Sequence, residues 1–256
     1  MKNTLFTILI LLTSWLSFAQ ESAFQAGESF KFQISYGFVN AGEATLNLSS
    51  ATYDGKSVYH AKGYGYTTGI TKKLFKVEDD YQSYFDKVTG RPYRFIRKID
   101  EGGYKKNQEG FFDQNMKTVL VKDYKNNSQK TFNVGTNIQD IVSSFYYLRN
   151  HEKIKSLKKG ETIEIDMFFD DETFKFKLKF MGKEEIKTKF GKINALKFRP
   201  YVQSGRVFKE DESLTLWVSD DENKVPLKIQ ASLMVGSLKA ELIKYSGLKH
   251  KIVFKK

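Results

Sequence analysis

Cysteine is absent and histidine is scarce, so the side chains that most often carry catalysis or hold metals are few. His60, His151 and His250 stand far apart, none at metal-ligand spacing from another. Without cysteine there is no disulfide, no thiolate metal site, no thiol nucleophile and no lipid-bearing N-terminal cysteine. No Gly-x-Ser-x-Gly elbow, phosphate loop or dinucleotide fingerprint occurs. These residues therefore assign no catalytic side chain, no metal site and no cofactor. Carboxylates remain, because a glycan hydrolase needs only two of them at about 5–9.5 Å. Asp79-Asp80, Asp100-Glu101, Asp170-Asp171-Glu172 and Asp220-Asp221-Glu222 are the visible groups. Neighbours on a strand point to opposite faces, and the two triplets sit where turns are expected, where Asp bonds to its own backbone.

A binding site is better motivated. The chain holds 22 Phe and 14 Tyr, more aromatic surface than an unfolded chain leaves in water. Tyr64, Tyr66, Phe75, Tyr81, Tyr84 and Phe85 gather between Gly63 and Phe85. Asp79 alternates in register with Val77 and Tyr81, so an inward Asp79 needs a partner such as Arg94 or Arg97. The candidate ligand-binding set is Tyr64, Tyr66, Phe75, Tyr81, Asp79 and Arg94. Its rings either close a core or line a cavity for an apolar ligand such as an acyl chain.

Strands must position these residues. Phe30, Phe32, Ile34 and Tyr36 alternate with polar neighbours, as do Ala44, Leu46 and Leu48. The clearest period of two runs from Phe174 to Phe180, with three lysines on the opposite face, and Thr162–Phe169 is its expected partner. Further strands are expected at 77–85, 93–100, 104–112, 118–124, 193–199, 214–218, 227–233 and 238–245. Ile138, Ile141, Val142, Phe145 and Leu148 recur at helical spacing, which predicts one central helix over about 137–148 capped by Thr136 or Asn137. The stretch 67–75 reads as one or two helical turns or an irregular loop. Many short strands around one helix exclude a doubly wound sheet. The expected fold is mainly β, with antiparallel strands curved into a barrel or half-barrel. No linker divides it, so residues 20–256 read as a single β-rich domain, with 24–136 and 137–256 as two halves at most.

Several spaced residues carry a family resemblance. They are Gly37 to Gly42 with Glu43, Glu101-Gly102-Gly103-Tyr104, and Asp140 with Tyr146-Tyr147 and Arg149. Lys183 to Phe198 with Gly191 follows, then Leu216-Trp217-Val218-Ser219-Asp220-Asp221 with Pro226, Gly236 and Leu242. Over nearly the whole chain after the leader, the sequence resembles the bacterial domain of unknown function family 3108. The resemblance implies an exported, β-rich envelope protein of Gram-negative bacteria, and no catalytic residues.

Met1 to Ala19 read as a secretory signal: Lys2, an apolar run from Leu5 to Leu16, and a Ser17-Phe18-Ala19 cleavage pattern before Gln20. The apolar run is shorter than the roughly 20 residues of a spanning helix. A periplasmic or secreted product is expected. The net charge of +12 is dispersed, densest over Lys175 to Lys192, and in an exported chain it points away from nucleic acid. Lysine on strand faces discourages aggregation, and it also permits peripheral contact with anionic lipid or envelope glycan. The sequence thus reads as a non-catalytic binding or assembly factor for an apolar or lipidic ligand. The alternatives are an outer-membrane barrel and a carboxylate-dependent glycan hydrolase. Oligomeric state is not legible.

Overall fold

The structure, a computed structural model, describes residues 22–202, 214–232 and 236–256. The leader expected over residues 1–19 and the end of the strand expected at 227–233 lie outside them. The first half is a meander of β1 (Ser29–Tyr36), β2 (Val39–Tyr53), β3 (Lys56–Thr67), β4 (Val77–Asp86), β5 (Pro92–Glu101), β6 (Tyr104–Asp113), β7 (Thr118–Asp123) and β8 (Ser128–Asn133). A short helix, α1 (Gly69–Leu74), joins β3 to β4. After the central helix α2 (Ile141–Arg149) a second meander follows: β9 (Thr162–Phe169), β10 (Glu172–Thr188), β11 (Gly191–Val202), β12 (Leu214–Ser219), β13 (Pro226–Ser232) and β14 (Ser237–Ser246).

The fourteen strands of the described residues form one antiparallel sheet, because β1 also pairs with β14 and so joins the two meanders. Its order runs β8 to β1 and then β14 to β9, so β8 and β9 are the two edges and the sheet does not close into a barrel. The edges are protected in different ways. β8 is mostly exposed and polar, with Ser128, Gln129 and Lys130. Against β9, Gln139 forms a one-residue parallel bridge, donating its N–H to Asp166 O at 2.9 Å and accepting from Phe168 N at 2.8 Å.

That bridge moves the start of the helix. Asn137 is left-handed, at φ +61°, and Gln139 is committed to β9, so neither Thr136 nor Asn137 caps α2. Asp140 does: its carboxylate accepts from Val142 N and Ser143 N at 2.8 Å, while Ser143 Oγ in turn accepts from Asp140 N. Ile138 therefore belongs to extended chain, buried with Phe112, Val119, Val121 and Phe168, and Ile141 is half-exposed. The other expected strands are present, two of them much longer than their alternating cores: β2 extends on both sides of Ala44–Leu48, and β10 runs eight residues past Phe180. β3 and β8 are additional: glycines interrupt β3, and β8 is too polar to show alternation. The Phe174–Phe180 register holds, Phe176 opposite Ile165 and Leu178 opposite Ile163, across an Asp170-Asp171 turn with both residues at positive φ.

The helix packs against both halves of the sheet. Val142 and Tyr146 meet Phe24, Leu48, Ala61 and Phe85 on one side. Leu148 meets Ile163, Leu178, Leu196, Phe198 and Val218 on the other. At its last residue the Arg149 guanidinium is fully enclosed, at 3% side-chain exposure, and faces a Glu28 carboxylate at 0%. The pairing is two-pronged, 2.5 Å from Nη1 to Oε1 and 2.8 Å from Nη2 to Oε2. Nε and Nη2 also donate to Asn223 O at 3.0 and 2.7 Å, and Nη2 to Ala23 O at 3.3 Å. One side chain thus ties the N-terminal segment, α2 and the β12–β13 turn together. Removing a partner from such a buried pair costs roughly 3–5 kcal/mol, since a lone charge is left in the core. Arg149→Met should lower stability by about that amount, read as the urea midpoint. The Glu28→Gln/Arg149→Met double variant should recover part of the loss. An unchanged midpoint in Arg149→Met would remove the pair from its place in the fold.

Candidate functional site

Residues directly opposite across an antiparallel ladder share a face. On β4, Asp79, Tyr81, Ser83 and Phe85 face α2, as the Ser83 hydroxyl shows by donating to Asp140 Oδ2 at 2.6 Å. Opposite them stand Gly65, Gly63, Ala61 and Tyr59 on β3, and Ile99, Arg97 and Phe95 on β5. Tyr64, Tyr66 and Arg94 consequently lie on the outer face. Tyr64 and Tyr66 rings are neighbours at 5.6 Å, and the Tyr66 hydroxyl donates to Glu43. Arg94 pairs with Glu109 at 2.7 Å and covers the Tyr84 ring. Phe75, 54% exposed, sits at the end of α1 against Gly102. The structure brings Asp79 and Tyr81 together on the inner face and places the other four members of the expected set elsewhere.

Inward Asp79 does not rely on Arg94. Arg97 shares its face, and its guanidinium pairs with Asp170, which Lys106 also meets at 2.5 Å. Arg97 also packs over the rings of Phe169 and Tyr81, at 4.1 and 5.6 Å. The three histidines serve local roles. His60 stacks on Tyr84 and bonds to Gln82, His151 accepts from Lys153 N, and His250 bonds to Ser22 O. Among the described residues no group of three or more His, Asp or Glu could hold a metal ion. The two acidic triplets serve as turns. Asp221 Oδ1, for example, accepts from the N–H groups of Asn223 and Lys224 at 3.0 and 3.1 Å.

The feature that residue types did not announce is an apolar cavity of about 450 Å³ between α2 and the inner faces of β9 to β13. Phe145 and Leu148 of α2 form one wall, and Phe174, Phe176 and Leu216 of the sheet the other. Phe174 and Phe176 are half-buried while Leu178 and Phe198 beyond them are closed into the core. The period-two run of Phe174 to Phe180 thus lines a cavity at one end and fills a core at the other. The strand pattern revealed which side chains point inward. Whether anything meets them depends on how far α2 stands from the sheet. The volume lies within the roughly 300–1,000 Å³ of small-molecule sites, and such sites carry few polar groups on an apolar lining. The charged side chains on this wall are Arg149, engaged by Glu28, and Lys224.

Two inner carboxyls have shifted acidities. Burial, followed by a hydrogen bond shared with Glu101 and the Glu101 charge, pushes Asp79 up to about 7. Burial likewise raises Asp140 to about 6, against the hydrogen bonds from Ser83, Ser143 and Val142 that favour its charge. Each carboxyl binds its proton more tightly in the folded chain. The stability each contributes is complete below the ordinary value of 3.8 and is lost as pH rises through the folded value. Asp79→Asn should therefore be more stable than the parent at pH 8, with the advantage shrinking as pH falls toward 4. Asp140 maintains the parental trend up to about 6. Denaturant midpoints at pH 4, 6 and 8 test this, and a pH-independent difference would count against a shared Asp79–Glu101 proton.

Comparison with solved structures shows a likeness of fold alone. A β-barrel-like protein of the DUF1849 domain of unknown function from Brucella abortus superposes with a TM-score of 0.60 at 9% identity, over 88% of this chain and 99% of that one. A structure with a YmcC-like fold from Bacteroides fragilis gives 0.36 at 7% identity, over 89% and 99%. A further structure, from Parabacteroides distasonis, gives 0.35 at 10%, over 89% and 100%. Comparison with curated protein sequences gives no match. The family model described as a protein of unknown function, DUF3108, matches residues 31–243. Since that match runs from β1 into β14 and takes in the helix and both meanders, the chain belongs to the DUF3108 family of proteins of unknown function.

Proposed function

We propose that this chain is an exported envelope protein that binds an acyl chain or similar apolar ligand in the cavity between α2 and β9–β13. The single observation that carries the reading is the cavity itself: about 450 Å³ walled by Phe145, Leu148, Phe174, Phe176 and Leu216. Apolar surface of this kind is stabilised by removal from water, at roughly 25 cal/mol per Å², so an acyl chain gains affinity without a dedicated polar partner. The secretory pattern of residues 1–19 supports export to a compartment where lipid is abundant.

The open sheet bears on the outer-membrane alternative. A strand-built membrane protein must close, because unpaired edge groups are costly in hydrocarbon. Here β8 and β9 are unpaired with each other, and a polar β8 edge faces solvent. The cavity also lies inside the sheet's curvature and against a helix, the position of a ligand site in a soluble half-barrel.

Protein purified without detergent should carry co-purifying lipid, seen by solvent extraction and mass spectrometry, and should bind a fluorescent fatty-acid probe. Leu216→Trp, which places an indole in the cavity, should lose most probe binding while keeping its melting temperature. Repeated preparations free of lipid and unable to bind the probe would overturn the reading.

A further inference from the structure

The cavity wall carries one cation, Lys224, that forms no ion pair with a carboxylate among the described residues. Lys224 is 5% exposed, lines the cavity, and sits at φ +52° at the end of the β12–β13 turn. A lysine in that left-handed conformation is uncommon, and here its side chain forms part of the cavity wall.

Two of the carboxylates around it are engaged elsewhere, and the third, Asp221, keeps one buried oxygen, Oδ2, without a hydrogen-bond partner. Asp220 pairs with Lys183 at 2.9 Å, and Glu222 pairs with Lys155 at 2.8 Å. Asp221 Oδ1 takes the Ser219 hydroxyl at 2.6 Å and the N–H groups of Asn223 and Lys224. The neighbouring cation, Arg149, is balanced by Glu28. Lys224 Nζ itself donates to the backbone oxygen of Asp221, and among the described residues it forms no ion pair with a carboxylate. An ammonium has three N–H donors, so two are not engaged by the turn. A buried charge without a counter-ion is costly. Burial accordingly pulls the Lys224 pKa below the ordinary lysine value, with Glu222, Asp221 and Asp220 acting in the opposite sense.

We infer that Lys224 is the head-group anchor of the cavity, and that the ligand is an amphiphile with an acyl tail and an anionic head, a carboxylate or a phosphate monoester. The inference rests on the cavity reading above and adds the ligand's charge. The tail lies against Phe174, Phe176 and Leu216, and the head accepts the two remaining N–H bonds of Lys224. Charge-assisted hydrogen bonds in a site shielded from water are the strong ones. A neutral head of the same tail length offers the ammonium no counter-charge.

Three probes of equal chain length separate the two readings: hexadecanoate, hexadecyl phosphate and hexadecanol, titrated against the full-length exported chain by calorimetry. At least one anion should bind roughly tenfold tighter than the alcohol, the value of one charge-assisted bond, and the tighter of the two identifies the head. Lys224→Met should lose that preference while retaining the alcohol. Lys224→Arg, which keeps the charge, should retain part of it. Melting temperatures of both variants verify folding, and reductively ¹³C-methylated parent protein gives a second readout, in which the anion raises the apparent pKa of the Lys224 resonance. Equal binding of acid and alcohol by the parent, or an unchanged preference in Lys224→Met, would overturn the anchor and leave the cavity reading intact. Failure of all three probes to bind would overturn both.

Discussion

The buried pair between Glu28 and Arg149 is the constraint on which the rest of the molecule depends. Both groups are removed from water, and their mutual geometry, two-pronged with Nε and Nη2 also bonded to Asn223 O and Ala23 O, is what makes that burial tolerable. Rings of Phe24, Phe30, Phe145 and Tyr146 lie around the guanidinium at 5.2 to 5.6 Å. The pair fixes the C-terminal end of α2, and the Asp140 cap with its bond to Ser83 fixes the other end. A helix pinned at both ends holds its distance from the sheet.

That distance decides the interior. Where α2 approaches β2 to β4, Tyr146, Phe24 and Phe85 close into a core. Toward β9 to β13 the helix offers Ser144 among its wall residues, and the facing phenylalanines are left only partly covered. An open sheet reinforces this, because its two halves are joined through β1 and β14 and are braced at the far side by the Gln139 bridge and the Arg97–Asp170 and Lys106–Asp170 contacts. The concave side therefore contains both packed core and accessible apolar surface, with Lys224 at its wall.

Much of the architecture was legible because strand alternation is a local signal. Phe174 to Phe180 displayed its inward face directly, and the Asp170-Asp171 and Asp220-Asp221 turns followed from Asp chemistry at strand ends. The helix start was misplaced because Ile138 keeps helical spacing with Val142 yet is drawn into extended chain by the backbone bridge of Gln139 to β9. The candidate set around Gly63 to Phe85 was scattered for a related reason. Its residues are close in sequence, but Tyr64 and Tyr66 face away from Asp79 and Tyr81, and without recognising β3 their parity could not be related to that of β4.

By itself the sequence determined a cysteine-free, mainly β chain with one central helix, antiparallel turns, a secretory pattern and membership in a recognisable family. Each follows from periodicity, composition or spaced motifs, which are properties of neighbours along the chain. Only the tertiary structure decided that the sheet stays open, that Asp79 meets Glu101, that Arg149 is enclosed with Glu28, and that a cavity with a lysine on its wall lies beneath α2. Those outcomes join residues as far apart as Glu28, Arg149 and Asn223. A cavity is the volume left between elements whose separation is set by such long-range contacts, and no run of neighbouring residues encodes it.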